Sequence, residues 1–180
     1  MNAAAKLADW VKEQHAGQII KKTDLPYFSH LLMVATTSGQ FVRLGFEIGL
    51  CHDLLEDTKT TQEQLFDSLI RFGYATKDSK EITVCVNELT DIYTRKDFPF
   101  LKKAQRKKLE ADRLSLISST AQTVKYADLM DNINWVMRYD RKKAKKYLEK
   151  KLFFTKQLNL GNKDLRMQLL QRIYESLGSL

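Results

Sequence analysis

The amino-acid sequence predicts an all-α protein made of a single domain. Its 180 residues include only 2 Pro and 7 Gly, so few positions interrupt a helix. Apolar residues recur at intervals of three and four along most of the chain, as in amphipathic helices, and no segment alternates apolar and polar residues as a half-buried strand does. The length suits one compact domain, and a hydrophobic content of 43% is sufficient for a core.

The periodicity divides the chain into nine predicted helices joined by short connections. Their approximate ranges, in chain order, are 3–16, 26–38, 41–55, 60–73, 78–92, 101–117, 119–136, 141–158 and 162–177. The third helix is the richest in Phe, Ile and Leu, so we expect it to lie at the centre of the domain.

Local signals place several of the helix ends. Pro26 fits the first turn of the second helix, Gly73 ends the fourth, and Pro99 lies in a predicted loop over residues 94–100. Three pairs of residues at a spacing of three are typical of N-terminal capping boxes: Thr60 with Glu63, Asp78 with Glu81, and Ser119 with Gln122.

The chain is basic, with a formal net charge of +8 and a pI near 9.4. Such a surplus favours anionic partners and gives no information about the fold. Much of it lies in Lys102–Lys108 and in the run Arg141–Lys151, which we interpret mainly as solvated helix faces. We therefore expect attraction of a small anionic substrate and do not expect nucleic-acid binding.

No stretch approaches the roughly 18 consecutive apolar residues of a membrane-spanning helix. The first 17 residues carry charges where a secretion signal would be apolar. Cys51 and Cys85 lie in apolar runs without paired or metal-type spacing, so they indicate small buried hydrophobes in a reducing compartment. We expect a cytoplasmic protein without membrane contact.

Four ionisable side chains crowd the end of the most apolar helix. His52 and Asp53 are followed by Glu56 and Asp57. Carboxylates at a helix C-terminus are opposed by the helix dipole, and burying them without a positive partner is costly. Either a divalent cation or exposure to solvent would remove this conflict.

A second unusual position lies within the helix at 119–136. Asp128 and Asn132 are four residues apart and share a face with Val124 one turn earlier, so a carboxylate falls on an apolar stripe. Its partner could be a structural Arg or Lys, or a metal ion. Asp128, His30, His52 and Asp53 together form a set of imidazoles and carboxylates that suits Mn²⁺, Fe²⁺, Zn²⁺ or Mg²⁺.

These motifs resemble those of the HD-domain metal-dependent phosphohydrolases, and most closely the hydrolase domain of the RelA/SpoT alarmone enzymes and their stand-alone small relatives. The matching stretches are His15-Ala16-Gly17-Gln18 with Lys21, Pro26-Tyr27-Phe28-Ser29-His30, Cys51 through Thr58, and Lys125-Tyr126-Ala127-Asp128 through Asn132. They span about residues 5–140, within one predicted HD-type helical bundle over residues 1–180. The resemblance leaves the helices of residues 141–180 unassigned.

The resemblance implies a role for each matching residue. His30, His52, Asp53 and Asp128 would hold one divalent metal ion, Mn²⁺ by preference. Glu56 and Asp57 would position the attacking water and handle protons. Lys21, Lys22 and Asn132 would contact the substrate, and His15 would support the site.

Three positions depart from the alarmone hydrolases in charge. Ile20 stands where they have Arg, Asn87-Glu88-Leu89 where they have Thr-Lys-Leu, and Asn134 where they have a second Arg. The resemblance implies hydrolysis of the 3′-pyrophosphate of (p)ppGpp. Because these three positions are changed, hydrolysis of another nucleotide or phosphate ester is the alternative. A catalytically silent binding protein, with Tyr139, Tyr147, Phe153 and Phe154 stacking on bases, is the third hypothesis.

Overall fold

The structure is a computed structural model that describes residues 2–180. All regular structure in that range is helical, and the one extended pairing is an isolated bridge between Ile19 and Pro26. The helices, in chain order, are α1 (Ala3–Gln14), α2 (Phe28–Ser38), α3 (Gly45–Cys51), α4 (Leu54–Asp57), α5 (Gln62–Phe72), α6 (Thr76–Leu89), α7 (Lys103–Leu114), α8 (Ser119–Tyr139), α9 (Arg141–Gln157) and α10 (Lys163–Gly178). The predicted all-α class is confirmed.

The longest helix, α8, lies at the centre of the bundle. It packs against α2, α3, α6, α9 and α10. Its buried side chains include Tyr126, Leu129 and Ile133, which are inaccessible to solvent because neighbouring helices surround α8 on several sides. A polar side chain on this helix can therefore face the centre of the protein, as Asp128 does.

The two C-terminal helices share this core. Leu148 of α9 and Leu165, Leu169 and Ile173 of α10 are fully buried in the same hydrophobic cluster. The hydroxyl of Tyr126 donates to the carbonyl of Leu158 at 2.9 Å, which ties α8 to the end of α9. Within residues 2–180, no helix is both long enough and apolar enough to span a membrane.

The single helix predicted over residues 41–55 is wrong in extent. Leu44 adopts a left-handed conformation with φ of 59°, α3 begins after it, and the chain turns at His52 and Asp53 before the short α4. The Asp53 carboxylate accepts a hydrogen bond from the Tyr27 hydroxyl at 2.5 Å, and its carbonyl accepts the N–H groups of Glu56 and Asp57. The turn therefore places the carboxylates beside α2 and not at the end of one continuous helix.

None of the three predicted capping boxes forms, and two of them are displaced by one residue. Thr61 with Gln64 caps α5, and Ser118 caps α8, one residue away from the predicted pairs. Asp78 and Glu81 lie inside α6 and form ion pairs with Arg43. Spacing alone does not fix which of two adjacent hydroxyl residues leaves the helix, so these errors are of the expected size.

The crossing of α2 and α3 brings His30 and His52 together, and it depends on Gly49. A Cβ atom at Gly49 would lie 2.7 Å from the Ala35 Cα and 2.8 Å from the Ser38 Oγ, both in α2. Gly49 also supplies the carbonyl that accepts a hydrogen bond from the His52 ring. The close approach of the two backbones is thus part of the geometry of the site.

We expect Gly49→Ala to lower the free energy of unfolding by about 1–3 kcal/mol because α3 must move away from α2. The same movement should weaken metal uptake. Chemical denaturation monitored by circular dichroism gives the first quantity and metal titration the second. Gly178→Ala is the matched control, because nothing lies within 4 Å of a Cβ atom there. Equal stability of the two variants would contradict the expectation.

Candidate metal centre and active site

Three of the predicted ligands meet at one point. His30 comes from α2, His52 from the residue after α3, and Asp53 from the following turn, and one ligand atom of each lies within 4.8 Å of the others. The Nε2 atom of His52 is 3.0 Å from Asp53 Oδ2, and that of His30 is 3.9 Å from the same oxygen. Residues distant in sequence therefore form one cluster.

The fourth predicted ligand, Asp128 of α8, is adjacent to this cluster. Its Oδ1 atom lies 3.5 Å from His30 Nε2 and 3.9 Å from His52 Nε2. Its Oδ2 atom lies 2.7 Å from Lys125 Nζ. Both partners considered from the sequence are thus relevant, since one oxygen pairs with a lysine while the other faces the histidines.

The outer nitrogens of the histidines fix their orientation. His52 Nδ1 donates to the Gly49 carbonyl at 2.8 Å, and His30 Nδ1 lies 2.6 Å from the Asp131 carboxylate. Because a carbonyl only accepts, His52 Nδ1 carries a proton, and Nε2 is the nitrogen that faces the cluster. That Nε2 atom is buried and makes no hydrogen bond. Such outer-sphere contacts are typical of metal-bound histidines, and the residues fit a divalent ion.

The electrostatics of the cluster favour a positive charge at its centre. Burial disfavours the charged ring of His30, but hydrogen bonds with Asp128 and Asp131 outweigh burial and raise its pKa to about 10. Burial likewise opposes ionisation of Asp53, yet the adjacent His52 lowers its pKa to about 2. The pKa of Asp128 is also lowered, since Lys125 and the histidines overcome its desolvation. The same carboxylates would stabilise a bound divalent cation.

The cluster opens into a cavity of about 440 Å³. The predicted residues Lys21, Glu56, Asp57 and Asn132 line it together with His30, Asp53 and Asp128. His52 is 2% exposed and lies behind this surface. The predicted site residues thus make up half of the residues on the cavity wall.

Two carboxylates of α4 flank the cluster. The Glu56 Oε1 atom accepts the N–H of Asp91 at 2.6 Å, and desolvation raises the pKa of the Glu56 carboxyl to about 7. Desolvation also raises the pKa of Asp57, whose carbonyl accepts a hydrogen bond from Gln18 at 2.7 Å. A carboxyl group with a pKa near neutrality can exchange a proton at physiological pH.

The neighbouring lysines Lys21 and Lys22 occupy different environments. Lys21 lines the cavity, and its carbonyl accepts the indole N–H of Trp135 at 2.9 Å. Lys22 does not line the cavity; its Nζ atom lies 2.9 Å from Asp140 Oδ1. A left-handed backbone at Lys22, with φ of 65°, accompanies this difference. Lys21 thus lies on the cavity wall and Lys22 beside Asp140, and the substrate contacts expected of both stay predictions.

Asn132 and His15 both make hydrogen bonds within the protein, and Asn132 also lines the cavity. Asn132 donates from its side-chain amide to the Asp128 carbonyl at 3.0 Å and to the Asp128 carboxylate. His15 is buried, bonds to Gln18 at 2.7 Å and stacks on Tyr27 with ring centroids 5.6 Å apart. Tyr27 in turn donates a hydrogen bond to Asp53, so His15 contacts the cluster through Tyr27, and its supporting role stays a prediction.

The cavity wall also contains Tyr147 and Lys151 of α9; sequence reasoning missed Lys151 and considered Tyr147 only as a base-stacking residue. The Lys151 Nζ atom lies 5.4 Å from the centre of the Tyr147 ring, and desolvation lowers the pKa of Lys151 to about 8. Both residues share a helix face with the fully buried Ala144 and Leu148 at spacings of three and four. This spacing indicates that both residues face the domain, but the many lysines of α9 favoured its interpretation as a solvated helix.

Of the three positions that lack the usual cations, Glu88 and Asn134 have hydrogen-bond partners on other helices. Ile20 lines the cavity, whereas the Glu88 carboxylate accepts from the N–H and hydroxyl of Ser118 at the start of α8. The Asn134 side chain accepts hydrogen bonds from Arg172 of α10 at 2.8 and 3.1 Å. The cations that line the cavity are Lys21, Lys125 and Lys151.

Comparisons with known proteins give relatives of one kind. The chain is 30% identical over 136 residues to guanosine-3′,5′-bis(diphosphate) 3′-pyrophosphohydrolase MESH1 of Xenopus tropicalis, covering 73% of this chain and 68% of that protein. It is 31% identical over 156 residues to guanosine-3′,5′-bis(diphosphate) 3′-pyrophosphohydrolase of Aquifex aeolicus (strain VF5), covering 78% of this chain and 19% of that longer protein. No family model matches the chain.

A solved structure described as a metazoan ortholog of SpoT that hydrolyzes ppGpp is similar in fold. The two superpose with a TM-score of 0.78 and 22% sequence identity, over 100% of this chain and 98% of that one. At 22% identity this similarity establishes the fold alone, and the chemistry is inferred from the sequence relatives and from the site.

Fold, cluster and relatives define an HD-domain hydrolase of the metal-dependent class. More narrowly, the chain belongs to the family of guanosine-3′,5′-bis(diphosphate) 3′-pyrophosphohydrolases. The resemblance indicated by the sequence motifs is confirmed. Because the family consists of hydrolases, the hypothesis of a catalytically silent binding protein is set aside.

Proposed function

We propose that the protein hydrolyses the 3′-pyrophosphate of (p)ppGpp and releases pyrophosphate. The observation that carries the proposal is the convergence of His30, His52 and Asp53, with an unpartnered His52 Nε2, beside a cavity lined by lysines and carboxylates. The names of the relatives supply the substrate. Both cysteines are free, which suits a reducing compartment, so we propose that the protein acts in the cytoplasm.

In this proposal His30, His52, Asp53 and Asp128 hold one divalent metal ion, and Mn²⁺ is the preferred occupant. When bound, such an ion lowers the pKa of water toward neutrality and stabilises negative charge on phosphoryl oxygens. Lys125 and Tyr27 each bind a carboxylate of this set and so restrict its orientation. Asn132 restrains Asp128 in the same way.

Glu56 is the proposed proton acceptor. Its pKa of about 7 places a substantial fraction in the carboxylate form at neutral pH, and the N–H of Asp91 directs one of its oxygens. Asp57 lies on the same short helix and would orient the attacking water from a second side. Positioning of water and acceptance of its proton are thus assigned to adjacent residues.

The cations of the cavity would bind the phosphates. Lys21 and Lys151 come from opposite ends of the sequence, and both line the cavity with ammonium groups that can neutralise phosphate oxygens. These two lysines provide positive charge that Ile20 and Asn134, which stand where the family has arginines, do not provide. The basic faces of α7 and α9 would add attraction of the anionic substrate over distance.

The direct test is incubation of the purified protein with Mn²⁺ and ppGpp, followed by separation of the products. We expect equal amounts of GDP and pyrophosphate, and loss of both when a chelator is added. Failure to form GDP by protein shown to contain metal would exclude the alarmone as substrate.

A second candidate is hydrolysis of another nucleotide or phosphate ester by the same residues. The apolar Ile20 on the cavity wall favours it, because the alarmone hydrolases have a cation there. A panel of nucleotides and phosphomonoesters, assayed by phosphate and pyrophosphate release, separates the two candidates through their kcat/KM values.

Lys21→Ala should raise KM about tenfold with a smaller change in kcat, because a phosphate contact present in both ground and transition states is lost. Lys22→Ala is the informative comparison, since that lysine pairs with Asp140 outside the cavity. Initial-rate kinetics at saturating metal give both constants. A larger KM effect from Lys22 than from Lys21 would contradict the geometry.

A further inference from the structure

The connection between α6 and α7 is fixed by an ion pair to which the mechanism above gives no role. Glu110 and Arg113 lie one turn apart on α7, with Arg113 Nε 2.7 Å from Glu110 Oε1. Glu110 is only 8% exposed, although α7 is rich in charge and was expected to be a solvated face. A buried carboxylate in such a helix needs more partners than one arginine.

Those partners are backbone groups of the connection. Glu110 Oε2 accepts the N–H of Ile92 at 3.1 Å and that of Tyr93 at 2.9 Å. Arg113 donates to the carbonyls of Glu88 at 2.7 Å and Thr90 at 3.0 Å, at the end of α6. The ion pair thus satisfies donors and acceptors on both sides of residue 91.

The remaining N–H of this segment belongs to Asp91, and it donates to Glu56 Oε1 at 2.6 Å. Three consecutive N–H groups therefore bind two carboxylates, one at the cavity and the other on α7. A shift of the backbone at residues 90–93 would move the donor that orients Glu56. Displacements of about 1 Å at a catalytic group can reduce rates by as much as ~100-fold.

We infer that Glu110 and Arg113 are positioning residues for hydrolysis, which act on Glu56 through the N–H of Asp91. The inference rests on the proposed role of Glu56 as proton acceptor. Neither Glu110 nor Arg113 lines the cavity, so they do not contact the substrate. Substitution of either residue is therefore expected to lower kcat and to leave metal uptake and KM nearly unchanged.

The test is a double-mutant cycle between Glu110→Ala and Glu56→Gln, with metal content measured for each variant. In the wild-type background Glu110→Ala should lower kcat about 10- to 100-fold with KM within about twofold. In the Glu56→Gln background the same substitution should cause no further loss, because the group through which it acts is already absent. A loss of equal size in both backgrounds overturns the inference and leaves a purely structural role.

A second measurement is independent of turnover. Hydrogen exchange of the amides of Asp91, Ile92 and Tyr93 should be faster in Glu110→Ala than in wild type, and Asp112→Ala, an exposed residue of the same helix, should match wild type. Unchanged exchange in Glu110→Ala overturns the inference. If this variant does not fold, Glu110→Gln replaces it in both measurements, and effects in the same direction but smaller are expected because a neutral amide oxygen accepts these N–H groups more weakly than a carboxylate does.

The outcomes separate this inference from the proposed function. Absence of ppGpp hydrolysis by the wild-type protein, or full activity of Glu56→Gln, contradicts the proposed function, and the exchange measurement still decides whether Glu110 fixes the connection. Full activity of Glu56→Gln also overturns the catalytic part of the inference. Hydrolysis by wild type with unchanged kcat in Glu110→Ala contradicts the inference alone.

Discussion

His52→Ala and Asp128→Ala are each expected to abolish metal uptake and hydrolysis together. His52 supplies a buried Nε2 atom without a hydrogen bond, and Asp128 supplies an oxygen 3.5 Å from His30 Nε2, so each removal takes a ligand from the cluster. Elemental analysis after dialysis against Mn²⁺ and product formation from ppGpp measure the two losses. The losses should coincide because the chemistry depends on the ion.

Asp131→Asn provides a graded comparison for these variants. Asp131 bonds to His30 Nδ1 and is not a predicted ligand, so its substitution should weaken metal affinity about 10- to 100-fold without abolishing it. Asp67→Ala, on an exposed position of α5, is the control for a lost carboxylate elsewhere. Normal Mn²⁺ content in His52→Ala, or wild-type protein unable to take up the ion, would contradict the assigned metal centre.

Glu56→Gln is expected to retain the metal and to lower kcat by about 10²- to 10⁴-fold. Glutamine is nearly isosteric and can still accept the N–H of Asp91, so the geometry is preserved while the proton acceptor is removed. Metal titration and steady-state kinetics on the same preparation separate the two effects.

The matched control for this variant is Glu63→Gln, an exposed substitution in the first turn of α5. It should leave both metal content and kcat unchanged. A loss of metal from Glu56→Gln that parallels its loss of activity would show that Glu56 is a ligand and not the proton acceptor.

Local sequence signals anticipated the helices better than their ends. The spacing of buried residues such as Ile82, Cys85 and Val86 predicted α6 because a regular stripe requires a helix. The break between α3 and α4 was not predicted. At this break Asp53 accepts a hydrogen bond from Tyr27, a contact between residues 26 positions apart that local spacing does not reveal.

The sequence by itself determined the all-α class through its helical periodicity, and its His, His-Asp, Asp series predicted the metal ligands, three of which cluster in the structure. Only the tertiary structure decided which charged groups face the cavity. It placed Lys151 inside and Lys22 outside, and it paired Glu110 with the backbone near Glu56. The physical reason is that burial of a long charged side chain depends on which helix packs over it, and this packing joins segments far apart in the chain.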